Sequence, residues 1–171
     1  DGNVVLDAVR HDKMFASETR GPREGVSTLD QWTLSPTSGS VRHHRLDDRP
    51  LEFPRIDERH IGTRNRFGYS AGGGDFFVQD VLIKHDLVGA TTEVRNDGKN
   101  FGYGEPVFIP RFEHADEDDG WIIALRLNLE SNLSELVIID CQAFTDEPVA
   151  IIHLPARAPN GFHGNWIPVN Q

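Results

Sequence analysis

Apolar residues come in short runs, the longest about five residues, broken by Gly, Pro, Asp and Asn. Almost nowhere do they recur with the 3.6-residue period of an amphipathic helix. The pattern predicts strands at 4–9, 30–34, 41–46, 67–70, 77–84, 91–95, 106–109, 121–129, 136–140 and 149–154. Leu125-Arg126-Leu127-Asn128-Leu129 alternates with period two and reads as the clearest half-buried strand. An all-β fold follows.

The hairpins repeat. Trp32 to Val41, Leu82 to Val94 and Leu136 to Val149 each read strand, turn, strand, and their turn markers Pro36, Asp86 and Asp140 lie 50 and 54 residues apart. A second set of markers keeps a similar period. Glu105-Pro106-Val107-Phe108-Ile109-Pro110 overlays His163-Gly164-Asn165-Trp166-Ile167-Pro168, and Glu52-Phe53-Pro54 lies 53 residues before Glu105. Periods of 40 to 50 residues with four strands each are those of propeller blades. Residues 1–171 therefore read as about three to four blades, an incomplete part of a β-propeller whose ring does not close on itself. An open ring leaves strand edges unpaired. Equivalent positions on successive blades lie at similar distances from the propeller axis, so Glu52, Glu105 and His163 could converge there.

Charge narrows the partners. With 17 Lys and Arg against 27 Asp and Glu the net charge is −10, which argues against nucleic acid or an anionic membrane surface. No apolar run approaches the ~20 residues of a transmembrane helix. One cysteine, Cys141, leaves no intrachain disulfide and no Cys-rich zinc site, and points to a reducing, cytoplasmic compartment. The opening Asp1-Gly2-Asn3 has no initiator Met and no basic segment before Val4-Val5-Leu6, so it reads as a cut within a structure.

Among candidate chemical groups, His163 sits in Gly161-Phe162-His163-Gly164-Asn165-Trp166, between glycines that admit close approach and aromatics that supply an apolar wall. It reads either as a hydrogen-bonded structural residue or as a metal ligand. Glu52 and Glu105 stand in Pro- and Phe-rich settings, either as turn residues or as carboxylates that orient a ligating imidazole. Other signals are set aside. Gly68-Tyr69-Ser70-Ala71-Gly72 has the spacing of a hydrolase nucleophile elbow but lacks the following helix. The run Asp116-Glu117-Asp118-Asp119-Gly120 offers Ala115 and Arg126 where a calcium loop needs acids, and reads as a solvated turn. Gly102-Tyr103-Gly104 reads as a turn, and His43-His44 as part of an exposed charged edge.

Several segments together resemble the carotenoid cleavage oxygenases, a family that includes bacterial stilbene- and apocarotenoid-cleaving dioxygenases and the retinoid isomerase of the retinal pigment epithelium. They are Leu51-Glu52-Phe53-Pro54-Arg55-Ile56-Asp57, Gly104-Glu105-Pro106-Val107-Phe108-Ile109-Pro110-Arg111, Glu117-Asp118-Asp119-Gly120-Trp121, Leu136-Val137-Ile138-Ile139-Asp140, and Ile152-His153-Leu154-Pro155 followed by Gly161-Phe162-His163-Gly164. Val9-Arg10-His11-Asp12-Lys13-Met14-Phe15 is similar to the bacterial branch.

The resemblance implies the C-terminal part of a seven-bladed propeller with a non-haem Fe(II) on its axis, held by four histidines. Of these His163 matches the last, and Glu52 and Glu105 match glutamates that hydrogen-bond ligating histidines. It further implies cleavage of a conjugated C=C bond of an apolar alkene (a carotenoid, apocarotenoid or stilbene) by O2 into two carbonyl products. The other three ligands would precede Asp1. His11, His43, His44, His60, His85, His114 and His153 lie in no matching motif and read as surface or turn residues. The chain alone is then expected not to hold iron tightly. The rival reading is a non-catalytic β-propeller interaction module, which predicts no stoichiometric iron in a full-length protein.

Overall fold

A computed structural model describes residues 2–19, 24–74 and 78–169. Among them twelve strands form three antiparallel sheets. The chain divides into two compact units, residues 1–52 and 53–171.

The first unit is built on β1 (Val4–His11), β2 (Ser27–Ser35) and β3 (Ser40–Asp47), with β2 in the middle. Its buried centre is polar. Asp30, fully buried on β2, receives hydrogen bonds from Arg45 Nε at 3.0 Å, His43 Nε2 at 2.8 Å and Thr28 Oγ1 at 3.1 Å. Four groups on three strands thus satisfy a charge that would be costly alone, since Arg10 also reaches Asp30 at 3.7 Å.

The unit boundary falls inside β4 (Leu51–Arg55). In the second unit β4 precedes β5 (Phe67–Gly72), β6 (Val81–Asp86) and β7 (Thr91–Arg95) in one sheet. The other sheet orders β12 (Ala150–His153), β11 (Leu133–Asp140), β10 (Gly120–Asn128) and β8 (Phe101–Tyr103), with β9 (Val107–Pro110) also on β10. The core between them holds Tyr69, Leu82, Phe108, Ile122, Val137, Ile139 and Phe144.

The turn markers carry the repeat for a physical reason. Each stands where the penultimate strand of its sheet hands over to the last. Asp86 Oδ1 accepts the Val88 and Gly89 N–H groups at 3.1 and 2.8 Å, and Asp140 Oδ1 accepts that of Gln142 at 2.9 Å. A short carboxylate at a strand end captures the N–H groups that the sheet no longer pairs.

The structure departs from the sequence pattern in several places. Gly102-Tyr103 belongs to strand β8 rather than to a turn, and Leu51–Arg55 is a strand that the pattern did not announce. Pro54 hid it, yet β4 is the edge of its sheet, where a missing N–H is tolerated. The strand expected at 77–84 begins at Val81, and its first residue lies outside the described ones. Residues 163–168 overlay β9 in sequence but form no strand, because no segment among the described residues pairs with them.

β10 alternates as expected, with its polarity reversed. Arg126 is buried, donating to Glu135 at 2.9 and 2.7 Å and lying 4.3 Å from the Phe101 ring centroid, while Leu125 is exposed. The acidic run is not a solvated turn either. Asp118 is buried and accepts hydrogen bonds from Tyr69 Oη and Lys84 Nζ, each at 2.7 Å, and Glu117 Oε1 accepts the Arg66 and Phe67 N–H groups at 2.6 and 2.7 Å. The run thus takes the N–H groups at the start of β5 and buried side-chain donors from inside β5 and β6.

Candidate functional site

Glu105 lies between β8 and β9, where Gly104 N donates to Leu125 O at 2.9 Å and ties the loop to β10. Its side chain is only 5% exposed. Its Oε2 accepts the Gly164 N–H at 2.8 Å, and its Oε1 accepts His163 Nδ1–H at 3.2 Å. His163 itself is 77% exposed, so the pair consists of a buried carboxylate holding an outward imidazole. With Nδ1 donating, Nε2 carries the lone pair and points away from the carboxylate. This is the tautomer that ligation through Nε2 needs, and an outer carboxylate fixes it.

Two further groups complete the setting. Phe53 sets its ring edge-on to His163, with centroids 6.1 Å apart at 88°. It does so from a backbone φ of 55°, a region that a bulky residue rarely enters. Such an outlier beside an ionisable pair marks a place where packing, not local preference, sets the backbone. Arg55 Nη1 approaches Glu105 Oε1 at 3.2 Å and balances its charge.

A cavity of about 320 Å³ adjoins this pair within the second unit, walled by Phe53, Ile123, Leu125, Leu127, Leu136 and Phe162, with Glu105 and His163 at its lining. The reversed face of β10 is thus its apolar wall.

Glu52 belongs to the first unit, where His11 Nε2 donates to its Oε1 at 2.5 Å. The two side chains are 11% and 15% exposed, so His11 is not the surface residue its sequence setting suggested. Burial raises the Glu52 carboxyl above its ordinary value, against the opposing pull of His11. His11 Nδ1 is buried with no partner among the described residues.

The remaining histidines divide. His44, His114 and His153 are exposed as expected, and exposed His43 bonds Asp30, whereas His85 is buried in β6. Ser70 sits buried mid-strand opposite Ile83 rather than on a sharp turn, and no helix follows it among the described residues, so it does not stand as a nucleophile elbow. Among the described residues no three His, Cys, Asp or Glu side chains come together as a metal site. One oriented imidazole fits a corner of a four-histidine set but does not make the set.

The profile of the family described as retinal pigment epithelial membrane protein matches residues 1–168. The chain is 38% identical over 173 residues to a carotenoid cleavage oxygenase of Mycobacterium tuberculosis, covering 96% of this chain and 34% of that protein. It is 29% identical to the apocarotenoid-15,15'-oxygenase of Synechocystis, covering 97% of this chain and 36% of that one. The solved structure of the cobalt-substituted Synechocystis enzyme superposes with a TM-score of 0.90 at 27% identity, over 99% of this chain and 37% of that chain. The chain therefore spans about a third of the length of these relatives, and its three sheets match that share of a seven-bladed propeller. By family profile, sequence identity and fold together, it belongs to the carotenoid cleavage oxygenase family.

Proposed function

We propose that residues 1–171 are the C-terminal part of a single oxygenase propeller domain, and that in the complete enzyme His163 is one of four imidazoles holding a non-haem Fe(II). The observation that carries this reading is the buried Glu105 carboxylate accepting Nδ1–H of an exposed imidazole. Glu52 would likewise hold a ligating histidine of the complete enzyme; here its Oε1 takes the Nε2–H of His11 instead. The iron, when bound, supplies the centre at which O2 is activated. The overall change is C=C plus O2 to two C=O groups, with both oxygen atoms retained in the products.

The chain's own residues do three things. Glu105 holds the proton of His163 at Nδ1 and so presents Nε2. Phe53 packs its ring edge-on against the imidazole and limits how it can turn. The apolar walls of the cavity suit a conjugated hydrocarbon, whether carotenoid, apocarotenoid or stilbene, better than a polar substrate.

The test is His163→Ala in a full-length protein carrying this segment, with iron measured by elemental analysis and alkene cleavage by product formation. Loss of both is expected. Normal iron and turnover in the variant would sink the assignment, and absence of iron from the parent protein would favour a non-catalytic interaction module.

A further inference from the structure

The Glu105 carboxylate and the loop that carries His163 share a partner that the imidazole–carboxylate pair does not require. Arg55, at the end of β4, is 16% exposed and uses both terminal nitrogens. Nη1 lies 3.2 Å from Glu105 Oε1 and donates to Gly164 O at 3.1 Å. Nη2 donates to Asn165 Oδ1 at 3.2 Å and to Glu58 Oε1 at 2.6 Å. Gly164 closes the circuit, because its N–H donates to Glu105 Oε2 at 2.8 Å while its carbonyl accepts from Arg55. The residue immediately after His163 is therefore held at both its N–H and its carbonyl.

We infer that Arg55 is a positioning residue for His163, fixing the imidazole through Glu105 on one side and the Gly164–Asn165 backbone on the other. The planar guanidinium suits this task, since one fork spans two acceptors in fixed directions while a lysine ammonium offers a single point. A lone Glu105 could still accept a hydrogen bond from His163 Nδ1–H. Without Arg55, however, the carboxylate loses its counter-charge and the loop loses its tether to β4. The ring then turns and the Nδ1–H form is no longer selected.

This inference rests on the reading of His163 as an oriented ligand, so the test separates the two. The ¹⁵N-labelled 171-residue chain is examined by long-range ¹H–¹⁵N correlation, which reports the tautomer of each imidazole without any metal. The parent chain should show His163 as the Nδ1–H form. Its absence there would overturn the Glu105–His163 pair itself, and this inference with it. Arg55→Ala should give a mixture of tautomers and Arg55→Lys a smaller change in the same direction. An unchanged Nδ1–H form in Arg55→Ala would overturn the role of Arg55 alone. Glu58→Gln removes one anchor of Arg55 but not its bonds to Glu105 and Gly164, and should keep the parent tautomer. Behaviour like Arg55→Ala in that variant would make Arg55 a general brace and overturn the inference. In a full-length protein, Arg55→Ala should lower iron affinity about tenfold or more, the range expected when an outer partner of a ligand is lost.

Discussion

A carboxylate buried among cations is the recurring device of this chain, and Asp30 is its plainest case. Burial alone would raise its pKa, but hydrogen bonds from Arg45, His43 and Thr28 outweigh this and hold it at about 2. A carboxyl depressed in the folded state binds its proton more readily once unfolded, so the folded form is favoured above the unfolded value, near 4, and loses that advantage as pH falls towards 2. Trp32 stacks on His43 with centroids 5.1 Å apart, so its fluorescence reports this site. The acid transition of the first unit should fall between about pH 4 and 2, and Asp30→Asn should flatten its pH dependence while lowering stability at neutral pH. A transition indifferent to that substitution would show that Asp30 does not govern it. Glu105 and His163 stood out as candidates in the sequence, because the repeat brings their positions into one register and aromatic residues lie close to each. Arg55 did not, since the Gly164 carbonyl it holds lies 109 residues further along and an arginine at a strand end announces nothing locally.

Strands follow their period, while what lies between them follows partners that no local window contains. β10 was plain from its alternation, yet which face is buried depends on Glu135 and Asp97, the carboxylates that take Arg126 inward. The acidic run misled for the same reason, because Tyr69 and Lys84 arrive from another sheet. Lys84 Nζ also donates to the Cys141 carbonyl at 2.7 Å, and burial pushes the neighbouring Cys141 thiol up to about 12. Lys84→Met should cost roughly 3–5 kcal/mol, as expected when one partner of a buried ion pair is removed. Lys84→Met with Asp118→Asn should recover part of it, and chemical denaturation of the four variants reads the coupling. At the start of β10, a Cβ on Gly120 would stand 2.2 Å from Ile109 O and 2.7 Å from the Phe108 ring. Backbone on one side and a core aromatic on the other leave little room to yield. Gly120→Ala should therefore cost about 1–3 kcal/mol, the usual range for overpacking, seen as a lower denaturation midpoint at unchanged slope.

The second unit carries exposed apolar groups on and beyond its larger sheet. Ile151 and Ile152 on β12, Leu125 on β10, and Phe162 and Ile167 beyond are all exposed, and β12 is the terminal strand of its sheet. Such a strand offers a row of free backbone groups next to an oily surface, the arrangement that recruits another chain. The charge of −10 opposes association only at long range and is screened within about 10 Å at 0.1 M salt. The 171-residue chain should therefore self-associate as concentration rises, more strongly in salt than without it, as read by sedimentation velocity. Ile152→Lys should weaken the association by placing charge on the edge strand, whereas Leu133→Lys, at the far end of β11 from the Ile151 pairing, should do so less. The expected iron behaviour follows from the number of ligands. One oriented imidazole on the loop after β12, and one on Glu52 in the other unit, cannot by themselves satisfy a metal that prefers several nitrogen ligands at once. Iron added to the isolated chain should be removed by a weak chelator, while a longer protein containing this segment should retain it. Tight, stoichiometric iron on the 171 residues alone would mean that the ligand set is complete within them, and would overturn the four-histidine reading.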